Sequence, residues 1–186
     1  RSYKNDWNLK LGSLPMEFTV KSGNPEKQRT ACLVLGVYES RRLTPPAEQF
    51  DSACGGYLGN LLRRGDLEGK PGQSLLLFNV PEALCERVLL VGCGREREID
   101  DRRFRQILTH TATALNDIGA TEATVYLTDL AVKGRDLGWK IRQTIEAVEE
   151  ALYRFDALKS KKDAPRRPLR RIILSVPGRR ELPGAE

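Results

Sequence analysis

Histidine is almost missing from this chain, with His110 the only one among 186 residues. The four cysteines, Cys32, Cys54, Cys85 and Cys93, form no Cys-x-x-Cys pair. The usual zinc ligand sets are therefore nearly excluded. No cysteine or carboxylate lies three or four residues from His110, which sits between Thr109 and Thr111 and is expected on a helix surface or an interface. A Ser-His-Asp arrangement would have to be built on that one imidazole, and no Gly-x-Ser-x-Gly elbow is present. Long apolar runs are lacking too. None approaches the roughly 18 to 20 residues that a membrane helix requires. The amino-terminal stretch has no apolar core of the kind a signal peptide carries. Scattered thiols, two of them inside apolar runs, suit a reducing compartment. A soluble cytoplasmic protein with no membrane partner is expected.

What is present fits one domain, since single cores commonly hold roughly 100 to 200 residues. Residues 1–15, RSYKNDWNLKLGSLP, show neither helical nor strand periodicity and are expected to be an expression tail, with the natural start at Met16, the only methionine. That tail contributes Arg1, Lys4 and Lys10 against Asp6, so part of the formal +6 charge lies outside the domain.

Five runs are apolar on both alternating faces: ACLVLGV from Ala31, SLLLFNV from Ser74, RVLLVGC from Arg87, TVYLTDL from Thr124 and RIILSV from Arg171. Strands of this kind are covered on both sides, as in a parallel or mixed sheet between helices. EFTVKS from Glu17 alternates more openly and suits an edge. Three segments have helical spacing. The first is capped by Thr44 with Pro45 behind it, carries Phe50, Cys54, Tyr57, Leu58 and Leu61 on one face, and stops at Gly65. Asp100 caps the second, with Ile99 and Phe104 as a staple and Gly119 as the stop. The third repeats Leu137, Ile141, Ile145, Val148, Leu152 and Phe155. Strands and helices alternating at these lengths predict a three-layer α/β domain whose mixed, mainly parallel central sheet is flanked by helices.

Few residues suggest chemistry. Between Lys159 and Arg171, seven basic residues, Lys159, Lys161, Lys162, Arg166, Arg167, Arg170 and Arg171, face the single acid Asp163. Pro165 and Pro168 make the stretch a loop. Such a cluster can neutralise phosphates, although no aromatic is interleaved for base stacking. A solvated loop, or a surface meeting acidic residues of another domain or subunit, is the competing and favoured interpretation. Gly92-Cys93-Gly94 stands where a phosphate-cradling loop would lie in an α/β domain. Glu96, Glu98 and Asp100 crowd it, so a tight strand-to-helix turn is expected instead. Gly55, Gly56 and Gly59 fall inside the first helical pattern at a cost of about 1 kcal/mol each, which implies a local break or tight helix-on-sheet packing rather than a ligand loop. Asp136 stands near the start of the third helix, where the dipole favours an acid. Trp139 either packs inward or meets a partner.

Four stretches go beyond what composition or periodicity would require: ACGGYLGNLLRRGDLEGKPGQSLLLFNV from Ala53 to Val80, RVLLVGCGRE from Arg87 to Glu96, AVKGRDLGWKIRQ from Ala131 to Gln143, and ALYRFDALKSKK from Ala151 to Lys162. Together they resemble the amino-terminal domain of bacterial leucyl aminopeptidases, over most of residues 16 to 180. The resemblance implies a macro-like form of the α/β fold. It also implies that the chemistry resides elsewhere, in a carboxy-terminal domain whose lysine, aspartate and glutamate side chains hold two divalent metals, zinc or manganese, around the signature Asn-Thr-Asp-Ala-Glu-Gly-Arg-Leu. That signature is absent here, so no catalytic or metal-binding residue is assigned, and residues 181–186 are expected to begin a linker. By the same resemblance the parent releases amino-terminal residues, leucine among those preferred, and assembles as a homo-hexamer. The domain's partners would be its own catalytic domain and sister subunits. Some bacterial members bind double-stranded DNA, which keeps the basic run a candidate surface. The alternatives are a stand-alone nucleic-acid-binding module and an ADP-ribose-type nucleotide binder.

Overall fold

The computed structural model describes residues 16–158 and 169–178; expectations placed on the tail, on most of the basic run and beyond residue 178 lie outside them. Seven strands form one sheet: β1 (Glu17–Lys21), β2 (Leu33–Tyr38), β3 (Arg42–Leu43), β4 (Ser74–Phe78), β5 (Arg87–Gly94), β6 (Glu122–Val125) and β7 (Arg171–Ser175). Four helices accompany them: α1 (Pro45–Ala53), α2 (Tyr57–Arg64), α3 (Asp101–Asp117) and α4 (Leu137–Leu158). The order across the sheet is β1-β7-β6-β2-β5-β4, with β3 paired to β2. Neighbours run parallel except β4 against β5 and β3 against β2.

Alternation along each strand sorts side chains between two cores. Leu33, Leu35, Val37, Val88 and Leu90 meet Phe50, Leu58 and Leu62 of α1 and α2. Val34, Leu89, Val91, Val125 and Leu174 meet Phe104, Leu108 and Leu115 of α3 and Ile141 and Val148 of α4. The sheet is the middle of three layers, as the apolar runs predict. SLLLFNV differs from expectation in one respect. As β4 it ends the sheet and is only partly covered, with Phe78 58% exposed.

Local chemistry explains the helix ends. The Asp100 carboxylate accepts the Arg103 N–H at 2.8 Å, capping α3, and Gly65 closes α2 at φ +88°. Thr44 takes the cap position of α1 without a capping bond. Pro45 and Pro46 remove the nearest donors, and its hydroxyl donates instead to the Gly36 carbonyl at 3.0 Å. The first helical pattern is two helices rather than one. Gly55 and Gly56 adopt φ +66° and +78° with nothing within 4 Å of a would-be Cβ, so they mark a break and not tight packing. Across that break the Asp51 carboxylate accepts the N–H groups of Leu58 at 2.7 Å and Gly59 at 3.2 Å. It caps α2 from the end of α1.

Candidate functional site

In open α/β sheets ligands bind outside the carboxyl ends of the strands. Those ends here carry the loops after Lys21, Tyr38, Gly94, Val125 and Ser175. Several clefts open among them. One, of about 420 Å³, lies between the β1, β6 and β7 loops and the start of α1, and includes Gly23, Pro45, Gln49, Tyr126, Asp129 and Ser175. Among the described residues no lysine or arginine lines it, and the helix end it meets begins with two prolines that offer no N–H. Neither the charge nor the donors suit a pyrophosphate. The Tyr126 hydroxyl donates to the Gly23 carbonyl at 2.7 Å, and burial pushes its phenol up to about 12, so it stays protonated at neutral pH.

The second cleft, of about 410 Å³, lies between the β2 and β5 loops. Most of its charges answer one another: Arg42 pairs with Glu96, and Arg95 with Glu39 at 3.5 Å and Glu98 at 3.3 Å. Arg42 also stacks 5.0 Å above the Tyr38 ring. Gly92-Cys93-Gly94 is not the turn between strand and helix. It is the end of β5, and the turn falls on the 3-10 segment Glu96–Glu98. The segment from Gly69 to Gln73 crosses over this end of the strand. Gly94 N–H donates to the Gly69 carbonyl and Gly92 N–H to the Gln73 carbonyl, each at 2.9 Å. A Cβ at Gly92 would stand 2.0 Å from the Lys70 carbonyl oxygen. Main chain fills the space that a phosphate would need.

The loop from Ala131 to Asp136 is pinned to α3. Arg135 reaches both Asp101 oxygens, Nε at 3.0 Å and Nη2 at 2.5 Å, and lies 4.8 Å above the Trp139 ring. The hydrogen bond from Arg135 holds the Asp101 carboxyl below its ordinary range. Trp139 turns inward, its ring 5.8 Å from that of Phe104. Asp136 accepts the Trp139 N–H at 2.8 Å, which is the cap that its position in sequence implies.

His110 is less exposed than a helix-surface residue. Its Nε2 is enclosed with no partner among the described residues, and burial lowers its pKa. The neutral imidazole is the folded form, so this group's contribution to stability is present above the unfolded value of 6.5 and is lost as pH falls below it. Among the described residues no three His, Cys, Asp or Glu side chains gather where they could hold a metal. Burial pushes the Cys32 and Cys93 thiols up to about 12 and that of Cys85 to about 11, and it raises Cys54. No activated thiol results. Cys85 alone is not fully buried, and its raised pKa keeps the thiolate scarce at pH 8. Ellman's reagent at pH 8 should therefore label the folded protein slowly and at Cys85 alone. The rate should rise about tenfold per pH unit toward pH 11, and urea should release four thiols; mass spectrometry of the labelled peptides checks the site.

Of the basic run, Lys159, Lys161, Lys162, Arg166 and Arg167 lie outside the described residues, while Arg170 and Arg171 lie within them. Arg170 is exposed. Arg171 is already engaged, with Nε and Nη2 on Glu17 at 3.1 and 3.0 Å and Nη1 on Glu122 at 3.5 Å. The two carboxylates that hold it come from neighbouring strands far apart in sequence, so no local spacing signals them.

Comparison with known proteins agrees with this geometry. Residues 34–162 match the family model described as the N-terminal domain of the cytosol aminopeptidase family. A probable cytosol aminopeptidase of Shewanella loihica is 62% identical over 167 residues, 90% of this chain and 33% of the relative. One of Colwellia psychrerythraea is 60% identical over 171 residues, 92% of this chain and 34% of the relative. The chain thus spans about a third of the length of the curated relatives it matches. Among solved structures, a tomato leucine aminopeptidase mutant superposes with a TM-score of 0.61 at 18% identity, covering 91% of this chain and 34% of its own. A Trypanosoma brucei macrodomain in complex with ADP-ribose gives 0.64 at 12% identity, covering 90% and 67%. At those identities the likeness is one of fold, and the fold is macro-like. With 60–62% identity to these relatives and a family match over most of its length, the chain belongs to the cytosol aminopeptidase family as its N-terminal domain.

Proposed function

We propose that this domain is a non-catalytic part of a leucyl aminopeptidase and serves to build and position the enzyme rather than to perform its chemistry. The observation that carries this reading is the commitment of charge at the carboxyl ends of the strands, where Arg42, Arg95 and Arg135 are bound to Glu96, Glu39, Glu98 and Asp101. Groups so occupied fix loops and hold a surface in shape. They do not present a base or an electrophile to a substrate. In the parent, two divalent ions, zinc or manganese, would polarise the scissile carbonyl and activate water, and the residues holding them would come from outside residues 1–186. Cytoplasmic residence and assembly with sister subunits as a hexamer belong to the same proposal.

The test is direct. With manganese or zinc added, the 186-residue chain should hydrolyse leucine p-nitroanilide no faster than buffer. Turnover that scales with protein, and that a chelator abolishes, would overturn the reading.

Charge supports a second reading, DNA binding through Lys159, Lys161, Lys162, Arg166, Arg167 and Arg170; Arg171 contributes less because two carboxylates share it. Anisotropy of a labelled duplex, read at two salt concentrations, should show binding that weakens steeply with salt and is lost when Lys161, Lys162, Arg166 and Arg167 become alanine. Absence of binding at low salt would remove this reading. A macro-type nucleotide function is disfavoured by the cleft at Gly23 and Tyr126, which no cation lines among the described residues, so ADP-ribose should leave the melting temperature unmoved.

A further inference from the structure

Among the described residues, β4 ends the sheet with its outer edge bare. Gly92 N–H donates to the Gln73 carbonyl, and the pairing continues in register through Leu75↔Leu90 and Leu77↔Val88. Residues along an antiparallel strand alternate in which side their main-chain groups face. Leu75 and Leu77 therefore point theirs at β5, while Ser74, Leu76 and Phe78 point theirs away from the sheet. The run from Ser74 to Val80 has no charge and no proline, the usual devices that blunt an edge. The opposite edge strand, β1, carries Glu17 and Lys21 at its two ends. Phe78 and Leu84, 58% and 46% exposed, lie in β4 and in the turn after it.

We propose that β4 is a self-association surface on which two copies of this chain pair β4 against β4, antiparallel, about a two-fold axis at Leu76. The occupant follows from the pattern of the edge itself. The three outward residues are symmetric about Leu76, so a two-fold sets Leu76 opposite Leu76 and Ser74 opposite Phe78. Every outward N–H then meets an outward carbonyl. No like charges face each other, because the strand has none. Two-fold pairing of identical surfaces is also the commonest symmetry of homo-oligomers. A five-residue strand with Phe78 and Leu84 buries less than the roughly 800 Å² per partner of a persistent interface. The pair is accordingly reversible and depends on concentration.

Sedimentation of the 186-residue chain from about 10 µM to about 1 mM, a range suited to a weak pair, should show the average mass rising toward that of a dimer. Two variants locate the contact. Ser74→Pro removes only an outward N–H at the first residue of an edge strand, a position proline tolerates, and Phe78→Lys places a charge on an exposed site. Each should keep the melting temperature and weaken association at least tenfold. In the unaltered chain, amide exchange at Leu76 and Phe78 should slow as concentration rises. A chain that remains monomeric at the highest concentration would overturn the proposal, as would association untouched by both variants. So would Leu76 and Phe78 amides protected equally at every dilution, which would mean that the chain covers this edge itself.

Discussion

Gly92→Ala should cost on the order of 4 kcal/mol or more, a large share of the roughly 5–15 kcal/mol that a domain of this size has. A Cβ at this position runs into the main chain of the crossing segment, with the Lys70 carbonyl oxygen at 2.0 Å and the carbonyl carbons of Gly69 and Lys70 at 2.9 Å. A flexible side chain could swing away; a crossing backbone held by hydrogen bonds at both Gly69 and Gln73 cannot. Gly69→Ala should be comparably severe, since Gly69 has φ +85° and its Cβ would lie 2.1 Å from the Tyr38 carbonyl oxygen. Gly55→Ala is the control: it is also left-handed, at φ +66°, but opens onto empty space. It should cost only about 1–2 kcal/mol. Urea denaturation followed by circular dichroism ranks the three, and equal losses for Gly92→Ala and Gly55→Ala would refute the steric account.

Phe104→Ala should be the next largest loss, about 3–5 kcal/mol. The ring is fully buried where α3 meets the sheet and stacks at a tilt on Trp139, which in turn lies beneath the Arg135 guanidinium. Removing it opens a cavity under the loop that leads into α4. Trp139 reports the damage locally, so its emission should shift to the red before the far-ultraviolet signal is lost. A loss below about 1.5 kcal/mol, the range of volume-conserving core swaps, would mean that the site collapses around the gap.

Much of this architecture is legible in sequence because burial on two faces leaves unbroken apolar runs. The runs at Ala31, Ser74, Arg87 and Arg171 each became a strand, whereas of the run at Thr124 only Thr124 and Val125 lie in β6. What the runs do not encode is position within the sheet. SLLLFNV and RVLLVGC look alike in composition, yet one is an edge and the other is central. Strand order depends on which helix covers which face, and no local pattern carries that. The break in the first helical pattern was signalled by Gly55 and Gly56; the role of Asp51 was not, because it serves a helix that starts beyond the break. The glycines at Gly92 and Gly94 misled for a related reason. Glycine after an apolar run reads as a turn, whereas here it answers to a segment twenty residues earlier that crosses the strand. For the candidate site, spacing offered His110 no ligand or nucleophile partner, and the fold leaves its Nε2 enclosed without a partner among the described residues. The pairing of Arg171 with Glu17, 154 residues away, lay beyond any such reasoning.

That separation has a consequence for how the domain is made. Among the described residues the first strand of the sheet has a single strand beside it, β7, which comes last of them in the sequence. A nascent chain that has emerged through α4 has β2, β5, β4 and β6 and all four helices available, but β1 must wait, since β7 lies between it and β6. Closing a loop of this length is slow compared with forming local contacts. Among the described strands β7 is therefore the last that can enter the sheet, between β6 and β1, and without it β1 has no neighbour.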